Sequence, residues 1–484
     1  MWLSCLAAAA AWAAMCLPPP LLAQEAREWE VYTPTGVERR AYPAPTTVNV
    51  GLPEPVEVPS AVTGTGQGKR LTDLQVVVSE GVGGEAAAGP ASDVVADLAE
   101  DWEGNIWVAT SGGLSRFDGE QWTTFTQEDG LAGPWAGALA VDARGHLWVT
   151  GTEGVARLDG DHWTRYVLLV GVYVAAAPNG DVWFAGGGRA GPGGPAEGIL
   201  HRFDGTDWWE YGVADGISYP GITRHVAVDH DGVVWASVHP GQLPVPRYEL
   251  TSFDGSRWVS YDMPLVGAFS DVTAIYVGRD NRIWVAVGGG VQVFDHQTWR
   301  QYRAGRRWAV ARAMAEDDRG RIWISAVDDF GFLHGSTWTF GNAAASEFQP
   351  EAFLVDRRGN LWMSSALYRK LIRWPRERLP TPVGEQVAPA SPRSLRLLPT
   401  YPNPFNRETQ IAFDLPHKSA VSLSILGVFG QRVAILAEGV YEAGMHWTVW
   451  NGRDEVGHEV ASGLYLCQLA AGSEQAVRKL ALLK

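Results

Sequence analysis

Residues 100–110 read EDWEGNIWVAT, and residues 141–151 read VDARGHLWVTG. In both, a Gly follows the Asp by three positions and a Trp follows it by six. The phrase does not stop at two copies. Its tryptophans recur as Trp107, Trp148, Trp183, Trp235, Trp284, Trp323 and Trp362, at steps of 35 to 52 residues. A second phrase trails the first six copies as FDGEQW, LDGDHW, FDGTDW, FDGSRW, FDHQTW and LHGSTW, ending at Trp122, Trp163, Trp208, Trp258, Trp299 and Trp338. Self-similarity at such a period is the mark of a repeat architecture.

Each copy divides into four short strands. SDVVADLAE is apolar and ends in the Asp-x-x-Gly turn, where Gly supplies a positive φ and Asp can bond its own backbone. NIWVAT alternates by twos, GLSRFDG reads as a third strand, and QWTTFT follows through an Asp-Gly turn as the fourth. Four antiparallel strands repeated at about 40 residues describe a propeller blade. One such sheet cannot bury both of its faces, whereas a ring of them can. The expected fold class is therefore all-β, a seven-bladed β-propeller over residues 91–380 with the repeat tryptophans packed between neighbouring blades.

These residues resemble the two-component regulator propeller repeat, whose pattern is D-x-x-G-x-[IL]-W followed by G-[IL] and [FL]-D-G. The resemblance spans residues 92 to about 374. In that family such propellers often form the extracytoplasmic sensing part of hybrid histidine kinases. This sequence carries no kinase segment and no transmembrane stretch after its leader, so the kinase role does not transfer. A sensing module working with a separate histidine kinase stays open as an alternative.

The seventh repeat stops early, because LWMSSALYRKLIRW runs into prolines without a W-x-x-Y strand of its own. One stands near the start instead, REWEVYTPTG, with Trp29 and Tyr32 spaced as Trp163 and Tyr166 are. Residues 24–36 are therefore expected to supply the outer strand of the last blade and close the ring, since an open edge invites aggregation. The following 37–90, rich in Pro and Gly, are expected as a long loop.

Composition sets further bounds. A net charge of −15 argues against nucleic acid as a partner. Cys5 and Cys16 lie at the extreme N-terminus, which leaves Cys467 alone in the body with no disulfide partner and no thiol cluster for a metal. Residues 1–23 are uncharged and mostly Ala and Leu, a signal peptide by length although no Lys or Arg follows Met1. Cleavage is expected after Ala23; lipidation at Cys16 is disfavoured by the large Met15 before it. The mature chain is expected to be secreted or held at the outer cell surface, and monomeric.

Beyond the Pro- and Ser-containing linker at 381–394, the alternation of QIAFDL, AVSLSIL and HWTVWNG reads as a small Ig-like β-sandwich over 395–484. PNPFN (402–406), WNGRDEVG (450–457) and ASGLY (461–465) occur in order before a basic-apolar end. This set resembles the type IX secretion C-terminal sorting domain and the related Ig-like domain of flagellar hook-capping proteins, across residues 397–484. Two departures are mild: SGLY stands for the usual SGVY, and Gly427 replaces an Asp. The resemblance implies that an outer-membrane, type IX-like secretion machinery reads residues 395–484 and can cleave them.

Candidate chemistry is sparse. Asp229 and Asp231 bring carboxylates together, but a calcium cage needs six or more oxygens and the other copies lack them, so a hairpin turn is expected and no metal. The histidines show no paired metal spacing, no phosphate loop or G-x-S-x-G occurs, and no cofactor is expected. The better lead is the spacing between the two phrases. It is 15 residues in the Trp107, Trp148, Trp284 and Trp323 copies, but 25 after Trp183 and 23 after Trp235. The extra residues fall between second and third strands, raising a lip on the face opposite the Asp-Gly turns. Trp135, Tyr219, Arg224, His225, Phe269, Arg307 and Trp308 lie on that face, with Arg189 and His239 on the lip. An aromatic and basic rim of this kind suits a sugar, a peptide end or an anionic ligand, bound without catalysis. The alternative is an enzyme of the streptogramin-lyase kind, with His225 as its base.

Overall fold

The computed structural model describes residues 28–380 and 395–483, apart from 42–45, 50–53, 57, 59, 67, 73, 81–83, 168–172, 188–197, 218–221, 240–248, 264–271, 288–289, 304–310, 327–329, 336, 341–349, 366–369, 398–399, 401–402, 404, 407–408, 442–443 and 473. The signal peptide and the linker expected at 1–23 and 381–394 lie outside the described residues.

The chain is all-β and builds many small antiparallel sheets. Each repeat tryptophan sits on the second strand of a meander. In the first, Val95–Glu100, Ile106–Thr110, Gly113–Phe117 and Trp122–Phe125 pair in that order. The same order runs through the sheets of Trp148, Trp183, Trp235, Trp284 and Trp323, those of Trp183 and Trp235 being linked by the pair Gly187 and Ile222. The sheet of Trp362 has three strands of its own, Ala352–Val355, Leu361–Ser365 and Lys370–Trp374. Its fourth is Glu28–Thr33, which pairs antiparallel with Lys370–Trp374 so that Val31 faces Ile372 and Tyr32 faces Leu371.

Each tryptophan is buried between its own sheet and the next. Trp148 packs with Phe184, Phe203 and Trp208 of the following sheet, Trp235 with Ile283, Val285 and Trp299, and Trp323 with Leu361, Met363 and Trp374. Trp362 packs with Ile106, Val108 and Trp122, which returns the series to its first member. Tyr32 joins that last interface, its ring 5.3 Å from Trp362 and 5.7 Å from Trp122. The first strands also touch in sequence, from Val95–Glu100 round to Ala352–Val355 and back to Val95–Glu100.

The turn motif has a local cause. At Asp101, Asp142, Asp229, Asp317 and Asp356, one carboxylate oxygen accepts the indole N–H of the tryptophan six residues on, at 2.8–3.1 Å. The other oxygen accepts the backbone N–H four residues on. Ala177 and Gly278 occupy the same place in the remaining two copies. The Asp is thus a staple between turn and tryptophan. Several third strands add an Arg that pairs in register with the tryptophan and lies over its ring, as Arg116 does on Trp107 and Arg373 on Trp362.

The stretch 37–90, expected as a loop, is corrected by the structure. It carries strands Gly36–Ala41, Thr46–Asn49, Glu54–Val56, Ser60–Gly64, Lys69–Leu71, Gln75–Glu80 and Glu85–Ala87. Each adds itself to the outer edge of a different sheet, visiting those of Trp362, Trp323, Trp284, Trp235, Trp183, Trp148 and Trp107 in turn. The segment is a belt that runs round the sheets against their chain order. Pro55, which pairs opposite Arg300, fits because its strand is an edge, where a residue without an N–H is tolerated.

The last ninety or so residues form two further sheets. Arg396–Leu397, Thr409–Leu415 and Gly444–Trp450 make one; Arg432–Tyr441, Ser419–Gly427, Gly463–Ala471 and Glu474–Leu482 make the other. Phe405, Phe413, Leu423, Ile425, Trp450 and Leu482 fill the space between them. Cys467 is buried there, and burial pushes its thiol pKa up to about 12. Among the described residues no helix is long and apolar enough to cross a membrane.

Candidate functional site

Of the rim residues read from the sequence, Arg189, Tyr219, Phe269, Arg307 and Trp308 lie outside the described residues. Trp135 is 42% exposed and immediately precedes the first strand of the Trp148 sheet. Arg224, exposed, and His225, half-buried, lie on the first strand Ile222–Val228. His239 ends the second strand of the same sheet, where its backbone pairs with Ile222.

Because first strands face the common centre, their loop-side ends form the mouth of whatever channel the sheets enclose. His225 stands four residues before the turn Asp229, and the matching places in the other copies hold Asp97, Ala138, Tyr173, Ala274, Ala313 and Ala352. The column is small except at three positions, and two of these meet: the rings of Tyr173 and His225 lie 4.4 Å apart. Asp97 is held by the backbone N–H of Leu98 and by that of Leu139 from the next sheet, each at 2.8 Å. Burial raises its pKa to about 6, partly offset by those two bonds. One residue nearer the loops the column reads Arg224, Thr273, Arg312 and Glu351 in consecutive sheets, with Arg312 donating to Glu351 at 3.0 Å. Sequence reasoning passed over Asp97, Tyr173, Arg312 and Glu351. Aligning the first strands on their turns would have exposed them as polar or aromatic members of columns otherwise held by small residues.

This geometry does not favour a base at His225. Burial, aided by the adjacent Arg224, lowers the imidazole pKa to about 4, so it is neutral at pH 7 and a weak base. An effective general base has a pKa near the working pH. The partner that His225 meets is an aromatic ring rather than a carboxylate, and among the described residues no cluster of three His, Cys, Asp or Glu side chains could hold a metal ion.

The opposite face, where the Asp-x-x-Gly turns lie, carries two clefts between neighbouring sheets. One, of about 350 Å³, is bounded by Asp101, Trp102, Arg116, His146 and Asp159; the other, of about 380 Å³, by Asp181, Trp183, Arg202, His230 and Asp254. Each has a stacked Arg and Trp within it, Arg116 with Trp107 and Arg202 with Trp183. Each also includes an asparagine from the stretch between Arg396–Leu397 and Thr409–Leu415, Asn406 in the first and Asn403 in the second.

No protein-family model matches the chain, and no curated protein matches it significantly. Among solved structures it is similar to the extracellular domain of the hybrid two component system protein BT3049 from B. thetaiotaomicron, at 12% identity over 81% of this chain and 56% of that one, with a TM-score of 0.45. It is similar also to the extracellular domain of the one component system protein BT4673 from the same organism, at 12% identity over 86% of this chain and 59% of that one, with a TM-score of 0.44. A third is the gluconolactonase XC5397 from Xanthomonas campestris, at 18% identity over 62% of this chain and 98% of that one, with a TM-score of 0.34. The chain thus spans 56% and 59% of the first two proteins' solved chains.

Proposed function

We propose that the chain is an exported, seven-bladed β-propeller with an Ig-like C-terminal sandwich, and that it binds an extracellular ligand without transforming it. The ligand site is the loop-side mouth of the ring. The observation that carries this reading is the group on the first strands: exposed Arg224 beside the packed pair His225 and Tyr173, with Arg312 and Glu351 further round. An exposed guanidinium on a rigid strand recognises a carboxylate-bearing ligand through charge-assisted bonds, and the neighbouring His225–Tyr173 pair offers aromatic surface beside it in the chain. The neutral His225 offers a hydrogen bond rather than proton transfer. The C-terminal sandwich serves as the sorting domain for a type IX-like export machinery, delivering the ring to the surface; that part rests on the ordered motifs of residues 397–484.

The test is titration of the purified chain, and of Arg224→Ala, against a panel of uronic-acid oligosaccharides and free-carboxylate peptides by calorimetry. At least one member should bind the wild type, and loss of a charge-assisted bond should weaken it about tenfold or more. Binding that is equal in Arg224→Ala, or product appearing in the wild-type mixture, overturns the reading.

A further inference from the structure

The two clefts on the turn face are shared with the chain's own tail. The segment Asn403–Asn406 lies between them and the C-terminal sandwich, and its bonds run in both directions. Toward the sandwich, Phe405 donates its backbone N–H to Ala481 at 2.9 Å and accepts from Leu483 at 2.7 Å. Asn403 donates to the carbonyl of Lys479 at 2.9 Å and accepts from the N–H of Ala481 at 2.8 Å. The Phe405 ring is fully buried and lies 5.4 Å from Trp450. This short segment therefore pins the final strand, Glu474–Leu482, along its edge.

Toward the ring, Asn406 donates its side-chain N–H to the carbonyl of Arg144 at 3.1 Å, in the turn that starts at Asp142. Its Oδ1 is buried with no hydrogen-bond partner. A buried amide with one half bonded and the other unmet marks a contact that holds but is not optimised. Asn403 reaches the second cleft beside Asp181, Arg202 and His230. Arg478, on the strand that the segment pins, is close enough to His230 to add its repulsion to the burial that lowers the imidazole's pKa to about 4. Polar contacts of this kind between domains let them part.

We infer that residues Asn403–Asn406 form a reversible two-sided latch, docking the C-terminal sandwich on the turn face of the ring while fastening the sandwich's last strand. Docked, Asn406 lies against the turn of Arg144, and whatever reads that side of the segment from outside must first lift it away. Lifting it loosens the last strand, because Asn403 and Phe405, which bond that strand, stand within three residues of Asn406, which bonds the ring. The latch is independent of ligand binding, which is assigned to the opposite face.

The experiment compares the full chain with the double variant Asn406→Ala, Glu103→Trp by small-angle X-ray scattering and amide hydrogen exchange. The first substitution deletes the bond to Arg144; the second fills the cleft bounded by Trp102 and Asp159 with an indole. Near-UV circular dichroism matching wild type establishes that both domains remain folded, and Asn406→Ala alone serves as the milder variant where the double one does not fold. The wild type should scatter as a compact particle. The variant should show a larger radius of gyration and about tenfold faster exchange at the amides of Ala481 and Leu483. An extended wild type, an unchanged variant profile, or a separated variant with unchanged exchange at those amides each overturns the latch.

Discussion

An aspartate that recurs before a turn invites a metal, yet here its bonds are all internal. At Asp356 one oxygen takes the backbone N–H of Asn360 at 2.8 Å while the other takes the Asn360 amide at 2.8 Å and the Trp362 indole at 2.9 Å. Removing the carboxylate leaves these donors buried and unmet. Asp356→Ala is accordingly expected to destabilise by about 2–4 kcal/mol in urea unfolding, since each orphaned buried donor costs about 1–3 kcal/mol. Gly278 shows the other side of this rule. With no carboxylate there, the Trp284 indole N–H has no partner, and Glu316 of the next sheet comes near. Burial, and then the charge of Asp280, raise the Glu316 pKa to about 7, against the bond from the backbone of Arg279. The folded state therefore binds a proton that the unfolded chain releases near its ordinary pKa. The stabilisation it brings is complete below about pH 4.5 and is lost as pH rises toward 7. Thermal unfolding followed across that window should show a fall that Glu316→Gln reduces by up to about 3 kcal/mol. An identical slope in the variant would remove Glu316 as its source.

At the scale of the strand, legibility followed burial. Meander strands carry a tryptophan, an alternation and a turn residue each, because one face packs on the next sheet; those signals put Trp107 to Trp362 in the right elements. The belt carries none of them. Its strands have three to six residues and an outer edge in solvent, so little selects their side chains. Val76 and Val78 on the belt are 49% and 67% exposed. A stretch such as EPVEVPS then reads as a loop, because an edge strand tolerates the Pro that a central strand rejects. The candidate site was half legible for a related reason. Arg224 and His225 stood out as loop-side polar residues, whereas Tyr173 and Asp97 look like ordinary members of apolar strands until the first strands face one another. Tyr32 makes the contrast measurable. It is 4% exposed and packed on Trp362 and Trp122, so Tyr32→Ala should cost about 3–5 kcal/mol, whereas Val78→Ala should change stability by less than about 0.5 kcal/mol. Chemical denaturation of the two variants side by side checks both figures.

For the whole molecule, the order of the chain and the order of the contacts pull apart. Strand Glu28–Thr33 pairs with Lys370–Trp374, and Arg373 reaches back to Glu30 at 2.9 Å across most of the chain's length. Most other pairings join neighbours in sequence, so sheets can form one after another while the first strand waits for a partner made near the end. Closing so long a loop adds only slowly growing entropy, yet it must come after the last sheet exists. The belt is laid down from that same end, so its path against the sheet order follows from starting at the Trp362 sheet. Without residues 24–41 the edge of Lys370–Trp374 would lie open, the Trp323 core would lose Val31 and the Trp362 core Tyr32, both nearly fully buried. Such a chain is expected to associate through that edge, giving dimers and larger species in light scattering where the intact chain gives a monomer. A synthetic peptide of residues 28–41 should restore the monomer and raise the melting temperature with concentration, because it binds only the folded state. A truncated chain that stays monomeric, melts as the intact one does and ignores the peptide would mean that the ring does not depend on its first strand for closure.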